Sequence, residues 1–193
     1  RNGAAFENTT TNEGYNLSGQ VTAYREKGWS ADGGVTDSRR TGIGYNKYGQ
    51  AETYTDEGIV GAQYRLNHHT ALARDAFGRE IRSLEEGINE SGKYRYENRT
   101  PSFNSLGQAT ARFETGWKAS EGNYTLAQNN IRYDIAGRQL DFDQTKTVDG
   151  QTRETHWSSK GYDKNGASLG YRETGMITSG TDAGVAIAED HSV

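Results

Sequence analysis

One six-residue phrase recurs six times down this chain at nearly constant spacing, and that period constrains the fold more than any other feature. The copies begin at Tyr15, Tyr45, Arg74, Phe103, Tyr133 and Tyr162. Their glycines, Gly19, Gly49, Gly78, Gly107, Gly137 and Gly166, are separated by 30, 29, 29, 30 and 29 residues. A fixed period in this range marks stacked supersecondary units. It favours an extended surface over a pocket enzyme.

Inside each phrase an Asx residue stands three positions before the glycine: Asn16, Asn46, Asp75, Asn104, Asp134 and Asp163. Asn or Asp opens a type I turn by bonding its own backbone two residues on. Glycine at the fourth position accepts the left-handed conformation. The phrase therefore predicts a three-residue hairpin loop built from a type I turn and a G1 bulge. A second turn signal falls mid-period: Asp32-Gly33-Gly34, Gly61-Ala62, Ser91-Gly92, Glu121-Gly122, Asp149-Gly150 and the 180–184 stretch. Each repeat then holds two strands of about ten residues. The best helical candidate, 71–86, is interrupted by Asp75-Ala76-Phe77-Gly78 in phase with the turns.

The expectation is an all-β fold: a repetitive antiparallel hairpin meander with two strands per repeat, or as the alternative a β-solenoid. The whole chain, 1–193, reads as one array. Residues 1–14 form a trailing half repeat before six full ones. With Arg1 rather than Met at the start, the chain reads as a processed product or a piece of something longer.

Columns appear when residues are counted from each phrase glycine. Five residues on stand Tyr24, Tyr54, Ser83, Arg112, Phe142 and Tyr171; seven on, Glu26, Asp56, Glu85, Glu114, Gln144 and Glu173; nine on, Gly28, Gly58, Gly87, Gly116, Lys146 and Gly175. The fifth repeat loses its acid and its glycine together. The aromatic column predicts a cross-strand ladder. The acidic column argues for the meander. A solenoid would stack like charges one strand spacing apart, whereas a meander holds them two spacings, about 9.6 Å, apart. As a cation site, Glu26, Asp56, Glu85, Glu114 and Glu173 offer one carboxylate per repeat, against the six or more oxygens calcium takes. No metal and no cofactor is expected.

Apolar residues make up 32% of the chain, mean hydropathy is -0.97 and net charge is -4. This is too little apolar surface for a thick core, so backbone pairing and side-chain ladders must carry the structure. The acidic balance gives no footprint for nucleic acid. No apolar run is long enough for a membrane-spanning helix. Cysteine is absent, which excludes a disulfide framework and thiol chemistry. His68 and His69 fall on opposite strand faces and make a poor chelate. His156 and His191 stand apart, and no nucleophile elbow or phosphate loop is present. The reading is non-enzymatic.

Tyr133-Asp134-Ile135-Ala136-Gly137-Arg138 resembles the Y-D-x-x-G-R phrase of the YD repeats of Rhs proteins, toxin-complex cocoons and teneurins. Arg74-Asp75 to Arg79 and Tyr162-Asp163 to Gly166 are near matches. The resemblance implies long antiparallel hairpins in an exported protein, with no catalysis in the repeats. The period departs from the usual YD repeat, which runs nearer twenty residues.

These observations lead to an extracellular or cell-surface structural protein (a fibre, sheath or adhesin stalk) that self-associates through β-strand edges. The resemblance implies an alternative, a segment of an Rhs-like shell enclosing a toxin. A third reading is a carbohydrate-binding surface module that stacks glycans on Trp29, Trp117 and Trp157, a likeness drawn from the Gly-Trp pairs at 28–29 and 116–117. Asn8, Asn16, Asn89, Asn98 and Asn123 begin Asn-x-Ser/Thr sequons and are candidate glycosylation sites.

Overall fold

The computed structural model describes residues 6–30, 35–60 and 63–192. The second turns expected at 32–34 and 61–62 lie outside the described residues.

The protein is all-β and no described residue is helical. Among the described residues thirteen strands form one open sheet in chain order, the topology of a hairpin meander. They are β1 (Phe6–Tyr15), β2 (Val21–Ser30), β3 (Val35–Tyr45), β4 (Ala51–Val60), β5 (Gln63–Arg74), β6 (Glu80–Asn89), β7 (Gly92–Phe103), β8 (Ala109–Lys118), β9 (Gly122–Tyr133), β10 (Gln139–Val148), β11 (Gln151–Ser159), β12 (Gly170–Ser179) and β13 (Ala186–Ser192). Contacts divide the chain into two compact units. The first comprises Arg1–Glu97 and Lys118–Ser120, the second Asn98–Trp117 and Glu121–Val193.

In the first unit, β1 through β6 pair antiparallel with their sequence neighbours. One face carries Tyr24, Arg40, Tyr54 and His69 in a row. The Arg40 guanidinium lies 5.6 Å from the Tyr24 ring and 3.9 Å from the Tyr54 ring, and Tyr54 stacks on His69 at 4.5 Å. In the second unit, β9 through β13 pair in the same way. There Phe142, Trp157, Tyr171 and His191 stack at 5.0, 5.8 and 4.5 Å. The aromatic column is thus interleaved by residues of the intervening strands.

Among the described residues no second layer covers these faces within either unit, so the interior is thin. Tyr124 and Ile131 are 3% exposed, and Ile43, Ala109 and Phe142 join them as the buried apolar residues. No large side chain is fully buried among the described residues. Hydrophobic burial scales with area removed from water, so paired backbone and ladder contacts hold a larger share of stability here than in a two-layer domain.

The strands are not all of the expected length. Those entering a phrase run 11 or 12 residues in β3, β5 and β9, while those leaving one run 10 in β2, β4, β6 and β10. The extra residues are β-bulges, where the register slips between Thr41 and Gly44, between Ala71 and Ala73, and opposite Asp141 to Asp143. Gly42 at φ 62° and Asn130 at φ 55° mark two of them. A bulge inserts one unpaired residue and increases the local twist.

The glycine column has a steric cause. A β-carbon at Gly58, Gly87 or Gly175 would stand 2.4, 1.9 or 2.0 Å from a carbonyl oxygen of the preceding strand. Any side chain there would force the two strands apart.

Candidate functional site

The phrase turns form the most regular chemistry of the molecule. In all six, the Asx backbone N–H donates across the hairpin to the carbonyl four residues on, at 2.8–2.9 Å, and the glycine N–H donates back to the Asx carbonyl at 3.0 Å. Every phrase glycine is left-handed, with φ between 76° and 86°. Each Asx Oδ1 also accepts two backbone N–H groups, those two and four residues on, at 2.8–3.0 Å. One side chain thereby satisfies two donors that the tight loop would strand.

A second regularity matches the Asx to the residue four positions later. Asn16, Asn46 and Asn104 donate through Nδ2 to the Oε1 of Gln20, Gln50 and Gln108 at 2.8, 3.0 and 2.7 Å. Asp75 and Asp134 instead accept from the guanidinium of Arg79 and Arg138 at 2.6–2.7 Å. Neutral pairs with neutral, and acid pairs with base. Asp163 faces Ala167 and lacks this bond. The Arg138 bond and the backbone N–H donors hold the Asp134 carboxyl below the ordinary aspartate range. At Asp75 burial pushes the carboxyl up, and the Arg79 and backbone bonds more than offset it.

A third device ties one repeat to the one before. Tyr45, Tyr133 and Tyr162 each donate a hydroxyl to a carbonyl of the preceding repeat, those of Val21, Ala109 and Gln139, at 2.5, 2.8 and 2.7 Å. Each acceptor lies two residues past a phrase glycine. Arg74 fills the same role with its guanidinium, which donates to Ala51 at 2.5 Å. Tyr15, the corresponding residue of β1, is 60% exposed.

The acidic column meets donors. Asp56 accepts a bidentate pair from Arg40 at 2.6 and 2.7 Å. Glu85 accepts from Asn67 at 2.7 Å and faces His69 Nδ1 at 2.5 Å. Tyr124 donates to Glu114, and Arg153 donates to Glu173 at 3.2 Å. Glu26 sits half-buried on β2. No group of three or more potential metal ligands occurs among the described residues. His69 is buried with Glu80 Oε2 at 3.0 Å from its other nitrogen, while His68 bonds Thr55 on the opposite face.

The three tryptophans differ. Trp157 has both ring faces covered, by Phe142 and Tyr171. Trp29 and Trp117 are half exposed, and Trp29 Nε1 donates to Glu7 at 3.2 Å. Among the sequon asparagines, Asn8 and Asn123 are exposed on strands, Asn98 is half-buried, and Asn89 accepts from the Ser91 N–H in the opposite turn. At Asn16 the amide nitrogen already binds Gln20, so a glycan there would replace a turn bond.

The Asx pairing and the tyrosine clip are absent from the sequence reading. The first leaves a readable signal, since Gln follows Asn and Arg follows Asp within one phrase. The second requires knowing which carbonyl of the neighbouring strand lies beside the phrase.

Comparison with known protein families, curated proteins and solved structures finds no match. The fold and its turns define an all-β hairpin-repeat protein. No helix among the described residues is long and apolar enough to cross a membrane.

Proposed function

We propose that this chain is a non-enzymatic structural protein of the cell exterior, a fibre, sheath or adhesin stalk, that assembles through its β-strand edges. The observation that carries the reading is the backbone edge that β1 presents among the described residues. Among the described residues β1 pairs only with β2. Its central run Asn8-Thr9-Thr10-Thr11-Asn12 has neither charge nor proline to block strand addition. Its Tyr15 is the exposed counterpart of the tyrosines that clip later repeats together. Strand addition supplies affinity through backbone bonds and specificity through register. The extracellular placement rests on the resemblance of the phrase to exported hairpin repeats.

Negative-stain microscopy of the purified chain at rising concentration tests the reading. The expected result is end-joined particles, lost in a Thr10→Pro variant. Dispersed monomers at the highest concentration contradict it.

A further inference from the structure

The phrase turns display side chains that the turn itself does not use. Its bonds come from Asx and glycine, and the two middle residues face solvent. In five of the six turns one of these is large and apolar: Leu17, Tyr48, Phe77, Leu106 and Ile135. Two are aromatic and stand on consecutive turns of the first unit, Tyr48 at 75% and Phe77 at 84% exposure. Equivalent turn positions lie two strands, about 9.6 Å, apart.

An open groove of about 650 Å³ lies between these turns, lined by Asn46, Tyr48, Gln50, Glu52, Arg74 and Phe77 among others. That volume is within the range of small-ligand sites, roughly 300–1,000 Å³. The lining mixes these polar groups with Ala71, Leu72, Ala73 and Ala76, and hydrogen bonds hold its polar part in place. Asn46 holds Gln50, Gln50 donates to the Gly78 carbonyl at 3.0 Å, and Arg74 donates to the Gly78 carbonyl at 3.0 Å. A floor ordered before binding lowers the entropy cost of association. Lys47 lies 4.9 Å from the Tyr48 ring and Arg79 lies 5.2 Å from the Phe77 ring.

The occupant must match aromatic rims above a mixed floor of amides, a carboxylate, a guanidinium and small aliphatic side chains. An apolar peptide side chain would desolvate the Glu52 carboxylate without replacing its bonds to water. A pyranose ring suits both parts. Its C–H face packs on an aromatic ring, and its rim of hydroxyls donates to Glu52 and accepts from the amides. We propose that the groove between the second and third phrase turns binds a saccharide, with Tyr48 and Phe77 as stacking platforms and Glu52 as a hydroxyl acceptor. This site is separate from Trp29, Trp117 and Trp157, and does not depend on edge assembly.

Isothermal titration with cellohexaose, chitohexaose and hexagalacturonate tests it, with circular dichroism confirming that each variant is folded. At least one oligosaccharide is expected to bind. Tyr48→Ala and Phe77→Ala each weaken that binding by about tenfold or more, Tyr48→Leu weakens it as much, and Trp29→Ala leaves it unchanged. Neutral sugars are expected to bind better than hexagalacturonate, because Glu52 repels its carboxylates, and binding of hexagalacturonate alone overturns the assignment of Glu52. The inference is overturned if none of the three binds at millimolar concentration or if Trp29→Ala alone abolishes binding. It is equally overturned if Tyr48→Leu binds as well as the parent, since the site would then read apolarity rather than a ring face.

Discussion

The phrase turns and the turns at the opposite ends of the strands do the same topological work with different chemistry. Every phrase turn repeats one set of backbone bonds and one Asx cap. The opposite turns vary. Asp149 and Gly150, with φ 46° and 84°, make a two-residue loop between Val148 and Gln151. Residues 180–184 make a longer one in which Gly184 donates to Ile177. Repeats in which one end is fixed and the other is free can keep register while changing length, as spacings of both 29 and 30 residues require. The contrast teaches that register is set at the phrase edge.

The largest expected effect separates the two kinds of turn. Asn104→Ala removes two caps on backbone N–H groups and the Gln108 bond, and should cost about 2 kcal/mol in a urea melt. Asn89→Ala in an opposite turn removes the cap on Ser91 and should cost about 1 kcal/mol or less. Equal losses would erase the distinction. Next, Gly137→Ala places a β-carbon at φ 83° and should cost about 1–2 kcal/mol. Two glycines inserted within 180–184 should cost under about 0.6 kcal/mol, because loop closure depends weakly on length.

Tyr133→Phe deletes one hydroxyl clip and should cost about 1 kcal/mol, seen also as faster exchange of the amides flanking Ala109. Smaller still is the effect of swapping the matched pair. Asp134→Asn or Arg138→Gln alone should lower the melting temperature, and the double substitution should recover most of the loss, because Asn–Gln already serves three turns.

The pH profile sharpens the same point. Arg132, through its hydrogen bonds, holds Asp141 below the ordinary aspartate value, and Asn130 and His156 do the same for Asp143. Asp75 and Asp134 are held down as well. The unfolded chain therefore binds these protons at higher pH than the folded one. Their stabilisation is complete above the ordinary value of about 3.9 and is lost as pH falls through the folded values. Tyr54 and Tyr94 are pushed up by burial, so their contribution holds below the ordinary value of about 10 and is lost as pH rises beyond it. Melting temperatures should form a plateau between these limits.

Much of this was legible in the residues. Asx-to-glycine spacing locates six turns, and a period of two strands places Tyr24 with Tyr54 and Phe142 with Tyr171 on common faces. The bulges escaped, because Gly42 and Asn130 carry no signal that separates a bulge from an ordinary strand residue. The partners of His69 escaped as well. Only the register of β5 against β6 sets Glu85 beside one ring nitrogen, and the start of β6 sets Glu80 beside the other. The Tyr48–Phe77 groove needs both the turn geometry and the strand spacing, since 29 residues separate the two rings in sequence.

The account stands on antiparallel neighbours locked in register by the phrase turns, and cross-strand nuclear Overhauser contacts test this directly. It predicts contacts of Trp157 with both Phe142 and Tyr171, and an Hα–Hα contact typical of antiparallel pairs between β10 and β11. Direct parallel contacts between equivalent residues of successive repeats, Phe142 against Tyr171 with Trp157 elsewhere, would contradict it.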